Sequence, residues 1–128
     1  MARYSFNQDI LTQRIYDLYV EMRQTRRYRS IIDISRELEI TPMPVHYISF
    51  LQGRRVYYKH FIHHTPVKYK FISKNILYNS FIMRCRELKK QGITDHNSII
   101  SKALLSPAPC CGLSESQIRR ILRTKGAR

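Results

Sequence analysis

Residues 54–74 read RRVYYKHFIHHTPVKYKFISK, and the fold turns on whether they form a hairpin or continue a helix. Val67, Tyr69 and Phe71 alternate with Lys68 and Lys70, the period of two that puts apolar side chains on one face of a strand and charges on the other. The preceding VYYKHFI is rich in β-branched and aromatic residues, and HHTP between the two runs has the composition of a turn. The segment therefore predicts a short basic β-hairpin. One half of it has a competing reading: a helix running on through Val56 to Ile62 accounts for the same residues, because Gly53 is only a modest helix breaker, and it leaves a single strand.

Upstream, Leu11, Ile15, Leu18, Tyr19 and Met22 recur at helical spacing and predict a helix from about Gln8 to Gln24, with Asn7 or Ser5 as its cap. Ser30 with Asp33 opens IIDISRELEI, a second helix of about eight residues. Thr41 and Pro42 interrupt, and VHYISFLQG reads as a third short helix ending near Gly53. Downstream the order returns. Leu77, Phe81, Cys85 and Leu88 mark a long helix that Gly92 ends, Thr94 or Asp95 caps NSIISKALL, and Pro107 and Pro109 break the chain before the last helix. That helix begins with a capping box, Ser114 to Gln117, and Leu113 and Ile118 fit a hydrophobic staple. Ile118, Ile121 and Leu122 share one face, and Ser116, Arg120 and Arg123 point away from it with Arg119 on the flank.

The recurrence suggests an internal repeat. ILTQRIYDLYVEMR at 10–23 matches ILYNSFIMRCRELK at 76–89 in pattern, 66 positions on, and YISFLQGRR at 47–55 matches the apolar spacing of IRRILRTKG at 118–126, 71 positions on. The expected fold is mostly α. It consists of a tri-helical unit at 1–55, the basic aromatic hairpin or linker at 56–74, and a second tri-helical unit at 75–128.

Charge narrows the function. The 128 residues carry 23 Lys and Arg against nine Asp and Glu, a formal net charge of +14, and no acidic residue stands between Glu39 and Glu87. Such a balance implies a polyanionic partner, most commonly nucleic acid. No run reaches transmembrane length, the N-terminus lacks the apolar stretch of a signal peptide, and no basic helix has a broad Leu, Phe or Trp face, so a membrane partner is not expected. Cys85, Cys110 and Cys111 give no disulfide framework and fit a reducing cytosol.

The order of a long helix, a capped short helix, a turn and a final helix with a polar outer face resembles the helix-turn-helix class of DNA-binding proteins, and the hairpin adds a winged look. SPAPCCGLSESQIRRILRTKG also resembles the end of small basic proteins of prophages and mobile elements. The resemblance implies sequence-specific binding of double-stranded DNA by a regulator or accessory factor, cytoplasmic and associated with the nucleoid. The last helix of each unit would enter the major groove. In the second unit the base-reading candidates are Ser116, Gln117, Arg119, Arg120 and Arg123. The first unit would offer Val45, Ser49 and Gln52, a face poorer in charge. Phosphate contacts would come from Arg26, Arg27, Arg29, Arg54, Arg55, Lys59, Lys68, Lys70 and Lys125. Tandem units would let a monomer span neighbouring grooves, whereas a single competent unit would require a homodimer.

Two other classes stay open. Basic residues interleaved with Tyr57, Tyr58 and Tyr69 could stack on the bases of RNA or single-stranded DNA. A phage factor docking on an acidic protein would show the same charge. His60, His63 and His64 lack the paired ligand spacing of structural zinc, so neither a metal nor another cofactor is expected. With four glycines, no phosphate-cradling loop, no H-E-x-x-H and no G-x-S-x-G, catalysis is not expected either.

Overall fold

The computed structural model describes residues 8–25 and 30–127. Six helices form among them: α1 (Gln8–Gln24), α2 (Ile31–Glu39), α3 (Phe50–Phe61), α4 (Ile72–Lys90), α5 (His96–Leu104) and α6 (Glu115–Thr124). Four are 12 residues or shorter, lengths at which an isolated helix is marginal in water. Each of these four starts with a side-chain cap. Ser30, Ser49, Asp95 and Ser114 accept from the backbone N–H of Asp33, Gln52, Ser98 and Gln117, caps worth about 1 kcal/mol apiece.

The mostly helical class is as expected, but the hairpin is absent. α3 runs through Gly53 to Phe61, so the residues expected to form the first strand are helical. The reason is tertiary. Gly53, Val56 and Tyr57 lie at helical spacing and are all buried, and a Cβ at Gly53 would meet Phe81, Leu104 and Ile100 at 3.3–3.6 Å. The missing side chain lets α3 lie close against α4 and α5, and that packing offsets the roughly 1 kcal/mol helix penalty of glycine. Residues 63–69 are irregular and form no ladder. The Tyr69 N–H donates to Asn75 Oδ1 (3.1 Å), and Asn79 bonds back to the carbonyls of Asn75 and Val67. No strand forms among the described residues, whose one β-bridge joins Met43 to Ala108.

The helices do not group in chain order. α6 packs on α1 and α2, while α3 packs on α4 and α5, so each sequential unit receives its third helix from the other. The expected boundaries at 55/56 and 74/75 fall inside α3 and α4. Met43 and Ala108 exchange both backbone hydrogen bonds at 2.9 Å, and His46 N donates to Leu104 O at 2.9 Å. The segment leaving α2 thus crosses the segment leaving α5 before each enters the other group. The buried side chains form one continuous cluster, from Leu11, Ile15, Ile34 and Leu38 through Ile118 and Leu122 to Tyr57, Phe81, Ile99 and Leu104.

His46 pins this crossing. Its fully buried ring lies 2.8 Å from the Ser106 carbonyl through Nδ1 and 2.9 Å from Ser80 Oγ through Nε2. A carbonyl only accepts, so Nδ1 carries the hydrogen and Nε2 accepts from the serine. Burial lowers the imidazole's pKa and the Ser106 bond works against that shift without reversing it. Gly112, just before α6, has φ +82°, and a Cβ there would stand 2.5 Å from Leu77 Cδ2. Only glycine fits both demands.

Candidate nucleic-acid interface

On α6 the cap consumes part of the expected reading surface. Gln117 Oε1 accepts from the Ser114 N–H (2.9 Å) and completes the capping box. The Glu115 N–H donates to Glu39 Oε2 of α2 at 2.7 Å, so a carboxylate already occupies the positive end of this helix. Glu115 pairs in turn with Arg36 (3.6 Å) and Arg119 (3.5 Å). Gln117 and Arg119 are therefore engaged within the protein. Ser116, Arg120 and Arg123 are exposed, and the two arginines enter no ion pair among the described residues. Lys125 reaches across to α1 and donates to Gln13 Oε1 at 2.9 Å.

α3 carries the denser charge. Arg54, Arg55 and Lys59 are exposed on it and free of ion pairs among the described residues. Arg54 lies over the Tyr58 ring at 5.4 Å and Arg55 donates to Gln52 Oε1 at 3.3 Å. Lys68 and Lys70 are exposed on the irregular segment that follows. Residues 50–104, which hold α3, α4 and α5, contain eleven Lys and Arg against two acids, and the remainder of the chain contains twelve against seven. Positive charge is thus concentrated on the α3 group. Arg26, Arg27 and Arg29 lie outside the described residues.

The expected first-unit face needs correcting. Val45 precedes α3, and Ser49 is its cap. The caps also reset the repeat. Ser49 and Ser114 are 65 positions apart, as are the caps Ser30 and Asp95 and the bridged pair Met43 and Ala108. In that frame SFLQGRR at 49–55 lies over SESQIRR at 114–120, so Ser-x-x-Gln-x-Arg-Arg occurs twice, each time at the start of a third helix. Matching apolar residues alone sets these helices 71 positions apart, a frame in which the motif does not align. Arg54 and Arg55 are the counterparts of Arg119 and Arg120, and the α3 face is the richer in charge. The signal was in the sequence as polar residues, not as hydrophobic periodicity.

The aromatic and thiol groups are spent on structure. Tyr19, Tyr47, Tyr57 and Tyr78 are buried, and no described tyrosine is exposed. Burial pushes the Tyr57 and Tyr78 hydroxyls up to about 12, and Tyr57 Oη lies 2.6 Å from His96 Nδ1. Lys89 sits 4.1 Å over Phe61 and Lys74 4.5 Å over Tyr69, so basic side chains cover rings that bases would need. Burial likewise raises the Cys85 thiol to about 12 and that of Cys111 to about 11, and Cys110 Sγ donates to the Ser73 carbonyl. No described group of three or more His, Cys, Asp or Glu could hold a metal, and no helix among the described residues is long and apolar enough to cross a membrane.

No protein-family model, curated protein or solved structure matches the chain.

Proposed function

We propose that the protein binds double-stranded DNA sequence-specifically, as a regulator or accessory factor, through the exposed faces of α3 and α6. The observation that carries this reading is the repeated Ser-x-x-Gln-x-Arg-Arg helix start. It gives a +14 chain two capped helices, each third in a three-helix group and each bearing outward arginine. An α-helix fits the major groove, and an arginine on its outer face can take guanine O6 and N7 together. Arg54 and Arg55 on α3 and Arg120 and Arg123 on α6 are the base-facing candidates, with Ser116 beside them. Gln117 and Arg119 serve first to hold the start of α6. Lys59, Lys68 and Lys70 face phosphates. The inward tyrosines favour a duplex over a single strand, since stacking on bases needs exposed rings and Phe71 is the only exposed Phe or Tyr among the described residues, with His63 and His64 the other exposed aromatic rings.

The test is binding of the protein to random-sequence duplex across a salt series. If Arg54, Arg55, Lys59, Lys68, Lys70, Arg120 and Arg123 each neutralise one phosphate or lie in its field, log affinity falls against log salt with a slope of about −6. Selection of a defined motif, lost in Arg120→Ala/Arg123→Ala, supports specific recognition. Retention of a nuclease-resistant acidic protein in place of duplex sinks the proposal.

A further inference from the structure

The two three-helix groups are related in a particular way. Replacing each helix by the one three places along turns the pairs α1·α2, α2·α6 and α1·α6 into α4·α5, α5·α3 and α4·α3, which are the other observed packing pairs. Applying the replacement again restores the first set, so the operation is an exchange, the permutation that a two-fold rotation produces. The bridge gives an independent sign of the axis. Met43 and Ala108 are counterparts in the 65-residue frame, and they pair antiparallel through two reciprocal 2.9 Å hydrogen bonds. Equivalent residues meet in this way where a two-fold axis passes between them. The same exchange relates α3 to α6, and Arg54–Arg55 to Arg119–Arg120.

Duplex DNA has two-fold axes of its own, perpendicular to its length, and a two-fold protein reads an inverted repeat because each half meets the same groove in the same orientation. Resting on the DNA-binding reading above, we infer that one copy of this chain recognises an imperfect inverted repeat as a monomer, with α3 on one half-site and α6 on the other. The crossed connections do what a dimer interface does elsewhere: they hold two reading helices in a fixed mutual orientation. The half-sites are similar, because both helices carry an arginine pair after an identical Ser-x-x-Gln start, although on α6 the first of the pair, Arg119, also holds Glu115. They differ where the helices differ, Leu51 against Ser116 and Tyr58 against Arg123.

The experiment is selection of full-length protein on a duplex pool with a randomised central segment, followed by native mass spectrometry of the winning duplex and repeat selections with Arg54→Ala/Arg55→Ala and Arg119→Ala/Arg120→Ala. All four arginines lie on the protein surface, at least in part, so the variants are expected to fold, which circular dichroism checks. The expected result is an imperfect inverted repeat bound by one chain. Each double variant relaxes a different half-site and weakens binding at least about tenfold. A single half-site, a direct repeat, two chains per inverted repeat, or duplex retained without any motif overturns the inference while leaving duplex binding standing. Failure to retain any duplex at moderate salt overturns both.

Discussion

Replacing Gly112 by alanine tests the joint on which the exchanged packing depends. Two separate costs are expected. A φ of +82° is costly for a residue with a Cβ, roughly 1–2 kcal/mol. The new methyl would also stand 2.5 Å from Leu77 Cδ2 on α4, so that the tip of this buried leucine must shift, an overpacking cost of roughly 1–3 kcal/mol. The sum is about 2–5 kcal/mol, a large share of the stability of a domain this size. The assay is urea unfolding followed by circular dichroism for the wild type, Gly112→Ala, Leu77→Ala and the double variant. Truncating Leu77 by itself costs about 2–5 kcal/mol as a cavity. It also removes the atom that the alanine meets, so adding Gly112→Ala in that background should cost only the backbone share, about 1–2 kcal/mol. A Gly112→Ala cost below about 0.5 kcal/mol would refute the conformation assigned to this connection. An equal cost in both backgrounds would refute the contact with Leu77.

Three further outcomes are expected. The imidazole of His46 is held below its unfolded value near 6.5, so the unfolded chain takes up the proton first. Stability is therefore full above pH 6.5 and falls below it by up to about 1.4 kcal/mol per pH unit until the folded ring titrates. Urea unfolding between pH 7.5 and 5 should show that loss and a shallower one in His46→Gln; parallel profiles would reject the assignment. Buried thiols pushed to about 12 and about 11 should leave Cys85 and Cys111 silent to a thiol reagent at pH 8 in the native protein, with all three cysteines reacting in guanidinium; rapid native labelling of either would contradict their burial. In duplex binding, Arg54→Ala/Arg55→Ala should reduce the salt slope by about 1.8. Arg119→Ala/Arg120→Ala should reduce it by less, since Glu115 already pairs with Arg119; equal reductions would show that the acidic neighbours of α6 do not matter.

The helices themselves were readable from local signals. Ser30, Ser114 and the Leu11 to Met22 and Leu77 to Leu88 periodicities report on residues three or four apart, and neighbours at that distance decide whether a segment turns helical. Charge was equally readable, because +14 needs no folding to be counted. The doubtful stretch was 54–74. Its alternation of tyrosine and lysine is a fair strand pattern, and Gly53 looked like a stop; both cues lost to the burial of Gly53, Val56 and Tyr57 against α4 and α5.

On the candidate interface, the sequence by itself determined which side chains can meet an anion and that Ser-x-x-Gln-x-Arg-Arg occurs twice. Neighbours three and four positions away already hold Gln117 in the cap and Arg119 against Glu115. Tertiary structure decided the rest, drawing Lys125 onto Gln13, 112 positions away. It also decided which helices stand together. Periodicity shows that a helix has an apolar face but not which other face will cover it, and α3 and α6 carry faces that either group could use. The choice was made where the chain crosses itself, by the Met43–Ala108 bridge, the buried His46 and Gly112. The bridge and the His46–Ser106 bond join residues some sixty positions apart, and Gly112 meets Leu77 across 35; only the folded chain brings them within reach of each other.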